Sequence, residues 1–255
     1  MIKRNRVKEV MKRGNSAYGV LVALPSPALV EMAGFAGFDF VIIDQEHGAI
    51  SPETFENMIR AAESSGTCPF VRIRDSQPET ILGALDRGAQ GIVVPHVNTP
   101  EQALKISKAC RFHPRGNRGL AAAGRAAGFG FMPPAEFFST ANEETILMPM
   151  IENREGAERI DEILSVEGID LVMAGAGDLS QAYGVPGQPL HPTTQEVVTK
   201  IFLASKKAGV PFCAITRDSS SAKQWWEKGV RCFLAGDDQR IIYGAFQSLL
   251  KSVTG

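Results

Sequence analysis

The chain alternates between short apolar runs and longer stretches in which apolar residues recur every three to four positions. The runs are Tyr18–Leu24, Phe38–Asp44, Pro69–Ile73, Gly91–Val97, Ile146–Ile151, Ile169–Ala174, Pro211–Thr216 and Val230–Ala235. Each has strand length and is apolar almost throughout, as in strands buried on both faces of a parallel sheet. The stretches between them, among them Pro27–Gly37, Pro52–Ser65, Pro78–Arg87, Pro100–Cys110 and Glu155–Leu164, carry helical periodicity. Ser26-Pro27, Ser51-Pro52 and Thr99-Pro100 set a capping hydroxyl before a proline suited to the first helical position. Gly37, Gly168, Gly209 and Gly229 stand before strands, where helices exit.

With a basic amphipathic helix at about Arg6–Lys12 in front, this rhythm predicts an α/β fold: one (β/α)8 barrel domain over residues 1–255. An open doubly wound sheet shares the alternation, but the Gly-x-Gly-x-x-Gly turn that should follow its first strand is missing. Arg111–Glu144 breaks the rhythm. It reads as a long connection rich in Gly, Ala, Arg and Phe, of the kind that serves function or assembly.

Composition narrows the partners. At 44% hydrophobic over 255 residues the chain can bury a sizeable core, and its 27 basic and 28 acidic residues leave a net charge of -1. That balance gives no electrostatic case for nucleic acid or an anionic membrane. The apolar runs are too short to span a bilayer, and the start, Met1-Ile-Lys-Arg, lacks a signal peptide's apolar core. Cys68, Cys110, Cys213 and Cys232 show no metal-type spacing and read as buried free thiols, which suits a reducing cytoplasm.

Candidate chemistry gathers where the runs end, because a barrel brings the carboxyl ends of its strands to one mouth. Strand two delivers Asp44, Glu46 and His47; strand three Arg72 and Arg74; strand four His96; strand five Glu152. Strand six ends in Ala174-Gly175-Ala176-Gly177-Asp178, and strand eight in Gly236-Asp237-Asp238. Glu152 and Asp178, on adjacent strands, would repel, share a proton or bind a hard cation such as Mg2+ or Mn2+. A helix cap at Asp178 and an arginine partner for Glu152 would explain the same spacing. His47 beside two acids could be an oriented base, and Arg72 could neutralise charge on a substrate oxygen. Each is equally compatible with a structural role when taken alone. No lysine ends a strand: Lys206, Lys207 and Lys223 fall in helical stretches, which argues against Schiff-base chemistry.

The pieces Ala-Gly-Phe-Asp-Phe-Val-Ile-Ile-Asp-Gln-Glu-His-Gly (36–48), Val-Arg (71–72), Asp-Arg-Gly-Ala-Gln-Gly-Ile-Val-Val-Pro (86–95), Met-Ile-Glu (150–152), Val-Glu-Gly-Ile-Asp (166–170) and Gly-Asp-Leu-Ser (177–180) run in order. Together they strongly resemble the HpcH/HpaI aldolase family, metal-dependent class II pyruvate aldolases acting on 4-hydroxy-2-oxo acids. The resemblance implies a (β/α)8 barrel whose C-terminal helix is exchanged between subunits of a homohexamer. It implies a small 2-oxo acid substrate, cleaved to pyruvate and an aldehyde through a metal-stabilised enolate. By position, Glu152 and Asp178 match the metal ligands, for Mg2+ or Mn2+ with Co2+ or Zn2+ as further candidates. His47 matches the catalytic base, Asp44 an acid in its supporting network, and Arg72 the arginine beside the keto oxygen. The N–H groups of Gly177 and Asp178 match those holding the pyruvate carboxylate. Gln45, His96, Ala176 and the arginines of Gly116-Asn117-Arg118-Gly119 and Gly124-Arg125 depart from the commonest aldolases. A branch of the family resembles a siderophore-pathway citrate synthase that condenses oxaloacetate with an acetyl thioester, and it is the alternative activity.

Overall fold

Eight parallel strands pair in chain order and close into a barrel in the computed structural model, which describes residues 2–254. The strands are β1 (Ala17–Val22), β2 (Phe40–Asp44), β3 (Cys68–Arg72), β4 (Gly91–Val94), β5 (Ile146–Ile151), β6 (Val172–Ala174), β7 (Phe212–Ile215) and β8 (Cys232–Asp237). The first six helices are α1 (Arg6–Lys12), α2 (Pro27–Phe35), α3 (Pro52–Ser65), α4 (Pro78–Asp86), α5 (Pro100–Ala109) and α6 (Pro134–Glu144). They are followed by α7 (Arg154–Glu158), α8 (Ile160–Leu164), α9 (Ala176–Ala182), α10 (Pro192–Ala208), α11 (Ser219–Glu227) and α12 (Asp238–Thr254). The expected α/β barrel is therefore present; Met1 and Gly255, the outermost positions of the expected domain, lie outside the described residues.

Two apolar layers hold it. Phe40, Ile42, Phe70, Met148, Met150, Met173, Cys213 and Leu234 fill the barrel interior, while Val41, Ile43, Val71, Ile92 and Ile151 face outward against the helices. This is the period-two alternation of strand side chains, with both sets buried. Gly19 and Gly91 make room for the interior rings, since a Cβ at either would collide with Phe40 or Phe70. At the other end from the strand carboxyl termini, Val7 of α1 joins the interior cluster, and Arg6 pairs with Asp39 at 2.8 Å.

The local start signals act as the sequence indicates. The hydroxyls of Ser26, Ser51 and Thr99 accept from the N–H groups of Leu29, Thr54 and Gln102, each with proline opening the helix. Two stretches differ from expectation. Glu155–Leu164 is two short helices, α7 and α8, interrupted at Arg159. The expected connection Arg111–Glu144 ends in a full helix, α6, whose Phe137 and Ala141 are buried with Phe112. Its remaining loop is clamped by arginines turned inward: Arg111 to Asp170 at 2.7 Å, Arg118 to Asp86 at 2.8 Å and Arg125 to Glu63 at 2.8 Å. All four cysteines are free and buried.

Candidate active site

The interior register delivers the site. In β2 the inward positions are Phe40, Ile42 and Asp44; in β3, Cys68, Phe70 and Arg72; along β5, Ile146, Met148, Met150 and then Glu152. The last member of each set is the charged residue at the mouth. Asp44 and Arg72 are register partners on neighbouring strands, and they meet as a fork. Arg72 Nε donates to Asp44 Oδ1 at 2.9 Å and Nη2 to Oδ2 at 2.7 Å. Burial alone would raise the Asp44 carboxyl, but the bonds and charge of Arg72, with the N–H groups of His47 and Glu46, hold it below the usual carboxylate range. For Arg72, burial disfavours the charge, and Asp44, Glu46 and Glu152 more than restore it.

Glu46 is the hub of the mouth. Its Oε2 lies 3.2 Å from Arg72 Nε and 3.8 Å from His47 Nε2, and its Oε1 lies 3.4 Å from His96 Nε2. Oε2 is buried and completes no hydrogen bond. His96 stands between two acids, its Nδ1 3.5 Å from Glu152 Oε2. The backbone of His96 has φ 54, which turns its N–H onto the same Glu152 oxygen at 2.9 Å. In this left-handed conformation both the ring and the N–H of His96 face one carboxylate, and a non-glycine residue adopts that region with some strain. His47 is the freer histidine, with 69% of its side chain exposed against 55% for His96. Asp44 meets His47 through the backbone N–H at 3.3 Å, so the carboxylate beside the His47 ring is Glu46.

Glu152 is almost wholly buried, and burial pushes its carboxyl above the usual range. The His96 N–H and ring oppose that rise, while the neighbouring charges of Asp178 and Glu46 add to it. Asp178 lies in the first turn of α9, which begins behind Gly175 with no side-chain cap. Gly175 is required here: a Cβ would come within 2.5 Å of the Glu152 side chain. The charges of Glu46 and Asp178 both act on the buried Glu152 carboxyl, so a cation beside it would be favoured. Hard oxygen donors of this kind suit a divalent cation. Among the described residues no group of three or more His, Cys, Asp or Glu is arranged to hold a metal ion; two carboxylates alone would leave the remaining positions to substrate and water.

The predicted residues Asp44, Arg72, His47 and Glu152 thus converge, with Asp178 in electrostatic range of Glu152. Gly177 sits in the first turn of α9, its Cβ position open to space. Arg74 lies apart, lining a separate groove of about 580 Å3 with Gln45 and Arg87. A cavity of about 140 Å3 opens at the barrel mouth, bounded by Arg72, Asp237 and Arg217 over apolar side chains including Ile42 and Met150. Glu46 and Arg217 carry more of this geometry than their sequence context suggests. Glu46 is one of several adjacent acids, and Arg217 lies two residues beyond the last assigned residue of β7.

Comparison with known proteins identifies the family. Residues 17–243 match the model of a family described as HpcH/HpaI aldolase/citrate lyase. A hydroxypyruvate/pyruvate aldolase of Roseobacter denitrificans is 32% identical over 246 residues, covering 96% of this chain and 95% of that protein. A 5-keto-4-deoxy-D-glucarate aldolase of Citrobacter koseri is 30% identical, over 96% of this chain and 95% of its own. The crystal structure of the citrate synthase SbnG superposes with a TM-score of 0.91 at 36% identity, covering 98% of both chains. The chain belongs to the HpcH/HpaI aldolase/citrate lyase family.

Proposed function

We propose that this protein is a class II pyruvate aldolase that reversibly cleaves a 4-hydroxy-2-oxo acid to pyruvate and an aldehyde. As a member of this family with relatives named as pyruvate aldolases, it is a carbon–carbon lyase acting on a small 2-oxo acid. One observation carries the finer reading. A buried carboxyl, Glu152, disfavoured as an anion by burial and by the charge of the exposed Asp178, faces the same mouth as an arginine fixed by Asp44.

Glu152 and Asp178 would hold a divalent cation, Mg2+ or Mn2+ before Co2+ or Zn2+. Bound there, it would supply the positive charge that stabilises an enolate. The chain's own groups do the rest. Asp44 occupies Nε and Nη2 of Arg72, which leaves Nη1 for a substrate oxygen as negative charge grows on it. His47, largely exposed and beside Glu46, takes the proton from the 4-hydroxyl group in cleavage and returns it in condensation. The first turn of α9, at Gly177 and Asp178, offers uncapped N–H groups for the substrate carboxylate. His96, tied to Glu46 and Glu152, positions these acids.

The 36% identity to SbnG supports a second reading, condensation of oxaloacetate with an acetyl thioester, which draws on the same enolate. We further read residues 1–255 as one barrel domain, working in the cytoplasm as a homohexamer. The unpaired thiols support a reducing compartment. No described helix is long and apolar enough to cross a membrane.

The test is a retro-aldol assay across 4-hydroxy-2-oxo acids with Mg2+ or Mn2+, read by lactate dehydrogenase, beside a thiol-release assay with acetyl-CoA and oxaloacetate. His47→Ala should slow cleavage by about 10² or more. Loss of cleavage in His96→Ala alone would transfer the base role to His96. Thiol release without any cleavage would favour the synthase.

A further inference from the structure

Strand alternation brings a second guanidinium to the mouth. In β7, Cys213 belongs to the interior cluster and Ile215 lines the mouth cavity, so Arg217 keeps the inward register two residues on. Arg217 bounds the same cavity of about 140 Å3 as Arg72. The two arginines differ in their commitments. Arg72 is forked onto Asp44, whereas Arg217 makes no hydrogen bond or ion pair among the described residues. The acids nearest Arg217 along the chain and across the mouth are already engaged. Asp218 caps α11 by accepting from the Ser221 N–H at 2.7 Å, and Asp237 accepts from the Arg240 N–H at 2.9 Å and faces its Nε at 3.6 Å.

An uncommitted planar fork over an apolar floor suits a carboxylate, which it can bind through two parallel hydrogen bonds. The cavity is small, so a substrate anchored at Arg72 by its reacting end reaches Arg217 within a few carbon atoms. We propose that Arg217 is a specificity-determining residue that recognises a second carboxylate, carried by the part of the substrate distal to its 2-oxo acid group. This rests on the aldolase reading, and it adds that substrates with an anionic tail are selected over neutral ones of equal length by this residue.

The test compares pyruvate condensation with succinic semialdehyde and with butanal, four-carbon aldehydes that differ in the terminal carboxylate. The wild-type protein should favour succinic semialdehyde in kcat/KM. In Arg217→Gln that preference should fall about tenfold, chiefly through KM, as expected when one charge-assisted contact is lost. Arg217→Lys, which keeps the charge without the fork, should restore part of it. A preference unchanged by Arg217→Gln would overturn the proposal. A second arm needs no turnover: calorimetric titration with 2-oxoglutarate and with 2-oxopentanoate in the presence of Mg2+. Tighter binding of the dicarboxylate, abolished by Arg217→Gln in a protein with native circular dichroism, supports the role even if no aldehyde is turned over. That combination would count against the aldolase reading alone. Equal binding of both acids by wild type would overturn the role of Arg217.

Discussion

Asp44 is pulled in two directions, by a buried position that favours the neutral acid and by an Arg72 fork that favours the anion, and the fork wins. Its folded-state value lies below its unfolded one. The stabilisation it provides is therefore complete above the ordinary carboxylate range near pH ~4 and is lost as pH falls through the lower folded value. Asp44→Asn should cost about 2–3 kcal/mol at neutral pH, because Arg72 loses its buried partner, and much less at pH ~2. Urea unfolding of both proteins at the two pH values checks this, and a loss independent of pH would show that packing rather than charge is at stake. At this scale the site was legible wherever a charged residue ended an apolar run, as for Asp44, Arg72 and Glu152. His96 was picked out in the same way, but its role was not, because its contact with Glu152 spans 56 residues and depends on a left-handed turn that no neighbouring residue signals. Arg217 follows the inward register of β7, but the pattern of apolar residues stops at Thr216, before it reaches the arginine.

Among the elements, the capped helix starts and the strands were legible because hydroxyl–proline pairs and apolar runs are local signals. Arg111–Glu144 was not. Its Gly- and Arg-rich composition reads as a long connection, yet Arg111, Arg118 and Arg125 turn into the protein and reach partners far away in sequence. Arg118 is the clearest case, with its side chain almost wholly buried, its Nη2 on Asp86 at 2.8 Å and its guanidinium 4.5 Å from the centre of the Phe112 ring. Composition cannot tell a surface arginine from a clamp, since only the fold supplies the acid. Arg118→Ala should leave Asp86 unpaired and open space between Phe112 and Phe137, costing about 2 kcal/mol or more. Chemical denaturation checks the loss. Limited proteolysis should then cut first between residues 112 and 133, and a variant as stable and as resistant as wild type would show that the clamp holds nothing.

For the whole molecule, α12 is the element without a home. Tyr243, Phe246, Leu250 and Val253 recur at helical spacing along it and are exposed, and the helix contacts only β1 and β8 to any extent. An apolar stripe of this kind marks an association surface. In the hexamer we infer, it would lie against another subunit. Phe246→Glu combined with Leu250→Glu should then reduce the mass measured by light scattering at micromolar concentration while leaving the circular dichroism of the barrel intact. A wild-type monomer, or an assembly indifferent to the change, would remove α12 from that role. The buried thiols have a different consequence at this scale. Burial pushes the Cys110 thiol up to about 12 and raises Cys68 as well, while a bond from the Cys232 thiol to Cys213, then burial, raises Cys232. Disulfide exchange needs a thiolate within reach, so no thiol is available to attack a chromogenic disulfide in the closed molecule. Each absorbance step therefore dates an opening event, and the position modified says where it occurred. Cys68, Cys213 and Cys232 report parting of the barrel interior, and Cys110, at the end of α5, reports release of the helical shell. The protein carries its own four-channel clock of breathing, with no label added.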